Sequence, residues 1–325
     1  MHSAAEKYAA SRERAQDGKT LIGPFTADYK FDLDPFQLEA VRAIEAGNGV
    51  LVAAPTGSGK TVVGEFAIFR ALNSGTKCFY TTPIKALSNQ KFSELVQRYG
   101  SENVGLLTGD NSINGEAPIV VMTTEVLRNM LYARSTTLNT LSFVVMDEVH
   151  YLADRSRGAV WEEVIIHLPD SVTIIALSAT VSNAEEFGRW LATIRGKTEV
   201  IVEEVRPVPL WQHVMAGKKL YDLFIDDSQH EVNPELAALA RSSSQAVAQR
   251  SRSKYGSNGR NAPRRTSLTP RRSDVVSLLE SEALLPAIYF LFSRAGCDDA
   301  VEQILGSGLR LTSPVEREMI RDQVL

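Results

Sequence analysis

Ala54-Pro55-Thr56-Gly57-Ser58-Gly59-Lys60-Thr61 decides how the rest of the chain is read. The apolar run Gly49-Val50-Leu51-Val52-Ala53 before it reads as a buried strand. After it, Val62, Val63, Phe66, Ala67 and Phe69 carry the spacing of a packed helix face. Strand, glycine-rich loop, then helix is the context that a phosphate-binding loop requires. The glycines allow successive backbone N–H groups to point into one concavity, and the helix N-terminus adds about half an elementary positive charge. Pro55 to Thr61 are therefore the candidate phosphate cradle. Lys60 can reach the β- and γ-phosphates, and the Thr61 hydroxyl can ligate Mg²⁺. Ala54 stands where the usual pattern has its first glycine. A plain glycine turn between strand and helix would need neither the Gly-Lys-Thr at the turn nor a partner motif downstream.

The chain has 325 residues, enough for about two domains, and a formal net charge of −4 that is unevenly spread. Cys78 and Cys297 lie far apart, with no metal-ligand spacing around either. A disulfide framework and a cysteine zinc site are therefore not expected, and a reducing, cytoplasmic compartment is. Met1 to Thr20 has no apolar core, so it does not read as a signal peptide. No apolar run approaches the roughly 18 residues of a membrane span, and no membrane partner is expected.

Residues 1–24 read as a flexible lead-in. In Phe31-Asp32-Leu33-Asp34-Pro35-Phe36-Gln37, Asp34 can cap a helix whose first residue is Pro35. An aromatic and a Gln just upstream of a phosphate loop could sit on and read an adenine, although Phe31 or Phe36 could equally pack in the core. Strands are then expected at Cys78–Thr81, Val104–Leu107, Ile119–Met122, Phe143–Met146 and Thr173–Leu177, separated by helices. Ser182 with Glu185 gives a capping box for the next helix. Continuous apolar strands separated by helices mean a parallel sheet covered on both faces, an α/β fold. The strands end at Thr81-Thr82, Thr108-Gly109-Asp110, Thr123-Thr124-Glu125, Asp147-Glu148 and Ser178-Ala179-Thr180. In open α/β sheets the carboxyl edge is where ligands bind. From Leu236 to Ser273 there is no Asp or Glu, while Arg241, Arg250, Arg252, Lys254, Arg260, Arg264, Arg265, Arg271 and Arg272 fall there amid Ser, Asn, Gly and Pro. That composition buries no core; it is either a solubilising linker or a grip on nucleic-acid phosphates. Leu284 to Phe292 reads as a buried strand and Ala295 to Leu305 as a helix.

Asp147-Glu148-Val149-His150 is the second decisive motif. An acidic pair at a buried strand end, downstream of a phosphate loop, has a chemical purpose. Asp147 can hold Mg²⁺ between the β- and γ-phosphates, usually through water. Glu148 can orient and deprotonate the water that attacks the γ-phosphorus. His150 can sense the γ-phosphate and contact Ser178-Ala179-Thr180; it could also be an ordinary surface imidazole.

Phe31-x-Leu33-Asp34-x-Phe36-Gln37, Ala54 to Thr61, Thr81-Thr82-Pro83-Ile84-Lys85-Ala86-Leu87-Ser88-Asn89-Gln90, Thr108-Gly109-Asp110, Thr123 to Arg128, Asp147 to His150 and Ser178 to Thr180 occur in that order. Together they resemble the motifs of a superfamily-two DExH-box helicase. Arg157 to Ile165 and Arg206-Pro207-Val208-Pro209-Leu210 resemble the superkiller-type (Ski-like) RNA helicases. Thr108 to Gly115 and Val120 to Tyr132 look like the actinobacterial HelY-type branch.

The resemblance implies a RecA-like P-loop domain at 25–216, a basic linker or insertion at 217–283, and the start of a second RecA-like domain at 284–325. It implies an enzyme that hydrolyses ATP with Mg²⁺ to move 3′-to-5′ on RNA, single-stranded or with a 3′ overhang, as a monomer. Gln37 would read adenine. Thr82, Pro83, Lys85, Asn89, Gln90, Gly109, Thr123, Thr124 and Glu125 would lie along the nucleic-acid strand. Ser178 and Thr180 would couple hydrolysis to strand movement, and Phe292-Ser293-Arg294 would begin the grip of the second lobe. Complete members carry a whole second lobe with two γ-phosphate-facing arginines; Arg317 and Arg321 sit in no matching motif. Such a finger contributes about 10³–10⁵ in rate, so weak binding and poor turnover are expected of these 325 residues alone. The alternatives are a non-catalytic module that binds ATP and nucleic acid, and a DNA-directed translocase.

Overall fold

A computed structural model describes residues 17–154, 157–179, 183–226, 230–242 and 268–324. The chain divides into two compact units at Pro209/Leu210.

The first unit is built on strands β1 (Gly49–Ala53), β2 (Lys77–Thr82), β3 (Val104–Leu107), β4 (Ser112–Ile113), β5 (Ile119–Thr123), β6 (Leu141–Met146), β7 (Thr173–Ser178) and β8 (Thr198–Val202). They form one sheet in the order β4-β3-β5-β2-β6-β7-β1-β8. Every pairing is parallel except β3 with the short edge strand β4. The helices are α1 (Ile22–Ala27), α2 (Pro35–Glu45), α3 (Thr61–Asn73), α4 (Lys85–Tyr99), α5 (Thr124–Tyr132), α6 (Gly158–His167) and α7 (Ala184–Arg195).

The strands are apolar throughout because both faces are covered. Val50 and Val52 join one buried cluster with Cys78, Tyr80, Val121, Val145, Ile175 and Leu177, under α2, α3 and α4. Leu51 joins a second cluster on the opposite face with Phe79, Val120, Val144, Met146, Ile174 and Ala176, and with Trp161, Val164 and Leu191 of α6 and α7. This alternation by single residues is the pleat itself. Full burial of each such Val or Leu contributes about 1.5–3 kcal/mol, so the sheet register is strongly specified.

That register sets the site. Thr82 pairs with Thr123, Thr81 with Met146 next to Asp147, and Ala53 with Ser178. The polar strand ends expected from the sequence therefore share one carboxyl edge. The ladder continues past it: the Asp147 N–H donates to the Thr81 carbonyl at 3.0 Å, and the Ala54 N–H to the Ser178 carbonyl at 3.1 Å.

Glycine is required at Gly105 in β3, where an added Cβ would fall on the carbonyl of Asn114, the residue just after β4. Backbone cannot yield as a side chain does. Gly105→Ala is expected to cost about 2 kcal/mol, read as a lowered thermal midpoint.

Three expectations need correction. Residues 17–24 do not form a loose lead-in: Asp17 pairs with Arg42 at 2.7 Å, the Leu21 N–H donates to Glu45 at 3.2 Å, and Ile22 is buried. Phe25 is wholly buried with its ring 5.1 Å from that of Phe66, so hydrophobic packing on α2 and α3 holds the segment down.

The first unit also ends before residue 216. β9 (His213–Ala216) pairs antiparallel with β10 (Lys219–Asp222) in a separate hairpin and does not join the parallel sheet. Gly217, at φ +65°, makes the tight turn between them. The second unit further holds α8 (Arg272–Ser281), α9 (Arg294–Gly306) and α10 (Pro314–Val324).

Finally, Leu284–Phe292 is not a strand, and Ile288, Phe290 and Phe292 are exposed. A strand exists only through a partner, and none of the described residues pairs with this run. Ser182, Thr180 and most of the basic run lie outside the described residues.

Candidate nucleotide site

The loop that follows β1 owes its shape to two glycines in the left-handed region, Gly57 at φ +86° and Gly59 at φ +77°. A side chain would strain either position. The Ser58 N–H donates to the Pro55 carbonyl at 3.2 Å, closing a turn. Lys60 occupies the N-cap of α3, only 8% exposed, and Thr61 begins the helix. The α3 N-terminus thus opens directly onto the loop, with its orphan N–H groups and partial positive charge. Ser58 and, on the neighbouring strand end, Ser178 each bury a hydroxyl that has no hydrogen-bond partner among the described residues. Buried hydroxyls without partners are costly in a finished core and ordinary in a site that waits for a ligand.

Gln37 is engaged with the protein's own backbone. It is 2% exposed, and its Nε2 donates to the carbonyls of Ser58 at 3.3 Å and Gly59 at 3.0 Å. Its Oε1 accepts from the Asp34 N–H at 2.9 Å, which fixes the α2 N-terminus expected at Asp34-Pro35. One amide therefore latches the start of α2 to the loop, and contact with a base would have to use what remains of its lone pairs. Gln37→Ala is expected to weaken nucleotide binding about 10-fold with the fold intact, since each buried carbonyl left unpaired costs about 1–3 kcal/mol; binding and thermal midpoint together read this out.

The two aromatics upstream of the loop differ in burial. Phe36 is buried in the core, whereas Phe31 is 59% exposed, its ring edge-on to Tyr29 at 5.2 Å. Tyr29 is in turn held by its hydroxyl on Glu65 at 2.5 Å and by Arg98 over its ring at 4.8 Å. Burial, then the Glu65 carboxylate, push the Tyr29 phenol well above its ordinary range, so it remains a neutral donor.

Asp147 follows β6. Its Oδ2 accepts from the Tyr80 hydroxyl at 2.7 Å and its Oδ1 from the Glu148 N–H at 3.0 Å. Glu148 is left-handed, at φ +55° and ψ +43°. A residue other than glycine pays about 1–2 kcal/mol for that conformation, and such strain gathers at functional positions. His150 Nδ1 lies 3.3 Å from Glu148 Oε2, so the imidazole stands beside the candidate base. Thr61, Asp147 and Glu148 line one cleft, whose other wall is Gln90, Lys91 and Glu94 of α4.

Among the described residues no three His, Cys, Asp or Glu gather as a metal cage. The donor set suits Mg²⁺ nonetheless, because that ion is held by one or two protein oxygens with phosphate and water completing its shell. A hydroxyl on Thr61 and a carboxylate on Asp147 in one cleft, beside a loop with phosphate-binding geometry, fit it.

Residues 34–187 match the model of a family described as DEAD/DEAH box helicase. They form a DEAD/DEAH box helicase domain. The chain is 58% identical over 309 residues to the probable helicase HelY of Mycobacterium leprae, which covers 93% of this chain and 34% of the relative. It is 39% identical over 344 residues to the chloroplastic DExH-box ATP-dependent RNA helicase DExH15 of Arabidopsis thaliana, covering 93% and 29%. It is 48% identical over 202 residues to the antiviral helicase SKI2 of Saccharomyces cerevisiae, covering 62% and 16%. The chain spans about a third of the length of the HelY relatives it matches.

Within the helicase domain, the residues expected along a nucleic-acid strand divide in two. Lys85, Asn89, Gln90 and Gly109 are exposed. Thr82, Pro83, Thr123 and Thr124 are buried, and Glu125 is half-buried. The Thr82 hydroxyl donates to the Ile84 carbonyl at 3.1 Å and lies 2.7 Å from Ser88 Oγ, while the Thr124 hydroxyl donates to the Thr82 carbonyl at 3.3 Å. The Thr82 hydroxyl thus closes its own turn into α4, and the Thr124 hydroxyl ties the neighbouring strand end to the Thr82 backbone. Lys85 is paired with Asp110 of the Thr108-Gly109-Asp110 turn. Gln90 lines the cleft shared by Thr61, Asp147 and Glu148, its amide on Glu94 at 2.9 Å.

Arg157 opens a segment that the sequence singled out only by resemblance, and its contact in this region was not expected. Its Nη1 donates to the Pro83 carbonyl at 3.3 Å, tying the segment after Asp147–His150 to the loop before α4. The bond from Tyr80 to Asp147 was not expected either.

Proposed function

We propose that the chain carries the ATP-hydrolysing lobe of an ATP-dependent, 3′-to-5′ RNA helicase. The observation that carries this is the convergence of the Lys60-Thr61 loop and the Asp147-Glu148 strand end on one cleft edge. Lys60 would neutralise the β- and γ-phosphates, and Thr61 and Asp147 would hold Mg²⁺, which supplies charge stabilisation to the transferred phosphoryl group. Glu148 would position the attacking water and take its proton, with His150 beside it. Phe31 would lie against the adenine and Gln37 would hold the loop. Phosphoryl transfer depends on positioning and charge neutralisation more than on covalent chemistry, and these residues supply both.

Nucleic acid would run over the exposed Lys85, Asn89, Gln90 and Gly109. RNA is favoured because the Arabidopsis relative is described as an RNA helicase and because residues 157–165 and 206–210 resemble Ski-like members. Residues 284–325 would begin a second RecA-like lobe. A monomer in the cytoplasm is the proposed state; Cys78 and Cys297 are both free thiols.

The test is ATP turnover by the chain with single-stranded RNA or DNA of the same sequence. Stimulation by RNA above that by DNA supports the reading. Equal or greater stimulation by DNA assigns a DNA translocase; because turnover is expected to be poor, a residual rate that Glu148→Gln does not lower, and not a low rate as such, assigns a non-catalytic module. Deleting residues 236–273 is expected to flatten the salt dependence of RNA binding, because fewer phosphates are then neutralised, without altering nucleotide affinity.

A further inference from the structure

Tyr80 lies in β2, wholly buried, in the layer that also holds Cys78, Val145 and Leu177. A Phe would fill the same space there. A buried hydroxyl is costly unless it is bonded, and this one is spent on a single acceptor, Asp147 Oδ2 at 2.7 Å. The other oxygen, Oδ1, accepts the Glu148 N–H at 3.0 Å. Each carboxylate oxygen thus has one fixed donor, and two fixed donors set the plane of the carboxylate.

The phenol itself is held on two sides. Gly64 of α3 brings that helix so close that an added Cβ would lie 3.3 Å from the Tyr80 ring. Lys91 of α4 places its Nζ 5.5 Å from the ring centroid and is anchored on Glu94 at 2.5 Å. A cation over an aromatic face is attracted by the ring quadrupole, which holds the ring, and with it the phenol hydroxyl, in place.

We infer that Tyr80 is a positioning residue for Asp147, its hydroxyl fixing which lone pairs of that carboxylate face a nucleotide-bound Mg²⁺. The inference rests on the reading of Asp147 as the metal carboxylate. Outer-shell partners of this kind typically alter metal affinity 10–100-fold when removed. The Lys91 contact further ties the carboxylate to α4, the helix that begins at Lys85 and carries Asn89 and Gln90.

The experiment is Mg²⁺ titration of the binding of a fluorescent ADP analogue to wild type, Tyr80→Phe, Lys91→Met and Asp147→Asn, with thermal midpoints recorded. Tyr80→Phe is expected to bind the analogue without metal within about twofold of wild type, and to need about 10-fold more Mg²⁺ for half-saturation. Lys91→Met should shift the same midpoint in the same direction by less. With Mn²⁺ in place of Mg²⁺, the electron paramagnetic resonance spectrum of the bound metal should change in Tyr80→Phe. An unchanged Mg²⁺ midpoint in Tyr80→Phe, where Asp147→Asn does shift it, overturns the inference and leaves Asp147 as the metal carboxylate. An unchanged midpoint in Asp147→Asn overturns both. Loss of metal-free binding in Tyr80→Phe makes its role structural and also overturns the inference.

Discussion

Glu148→Gln is expected to lower ATP turnover about 10²–10⁴-fold while leaving ATP affinity within a fewfold of wild type. That range is what a positioned general base contributes. Glutamine keeps the size of the side chain and pays the same backbone cost at φ +55°, so the loop from Asp147 to Ala153 keeps its shape. What is lost is the ability to accept a proton from water. The carboxylate makes no hydrogen bond to the phosphate loop in this structure, and Lys60, Thr61 and the α3 N-terminus are untouched by the change. Binding and chemistry therefore separate. Phosphate release under single-turnover conditions, beside equilibrium binding of ATP, measures the two halves. Turnover at the wild-type rate in Glu148→Gln would transfer the base to another group, and His150 is the nearest candidate.

Lys60→Ala should do the converse and remove binding itself. Lys60 sits at the N-cap of α3 and is 8% exposed, so its ammonium is partly desolvated before any ligand arrives. A charge-assisted hydrogen bond contributes about 1.5–3 kcal/mol. Removing the bonds to two phosphates at once therefore weakens affinity by about 100-fold or more. The backbone N–H groups of Gly57 to Lys60 and the helix dipole remain. Residual weak anion affinity is therefore expected, and it should be sensitive to salt. Calorimetric titration with a non-hydrolysable ATP analogue in the presence of Mg²⁺ reads the change directly.

The sheet and the phosphate loop were legible in the sequence because their signals are local. Gly-Lys-Thr at a strand-to-helix turn needs no knowledge of the rest of the chain. Nor do five apolar runs that each end in Ser, Thr, Asp or Glu. The groups that were misread depend on pairing between distant segments. Tyr80 lies within Cys78-Phe79-Tyr80-Thr81 and is indistinguishable there from core; only the register of β2 on β6 brings its hydroxyl to Asp147. Thr82 and Thr124 look like outward-facing contacts until the register of β2 on β5 turns one hydroxyl onto the other's carbonyl. Gln37 was legible as a residue upstream of the loop, yet its bonds to Ser58 and Gly59 follow from how α2 packs. Leu284–Phe292 shows the opposite failure, an apolar run whose strand character depends on a partner that the described residues do not provide.

One cleft, formed by the loop at Thr56–Thr61 and the strand end at Asp147–His150, is proposed as the nucleotide site. Hydrogen–deuterium exchange of the intact chain, with and without ADP and Mg²⁺, tests it most directly. The account predicts added protection at the amides of Gly57 to Thr61, which lie in the phosphate cradle, and around Asp147 to His150, with the β9–β10 hairpin unchanged. Saturating ligand that left both segments as they were, or that protected amides elsewhere in the chain alone, would contradict it.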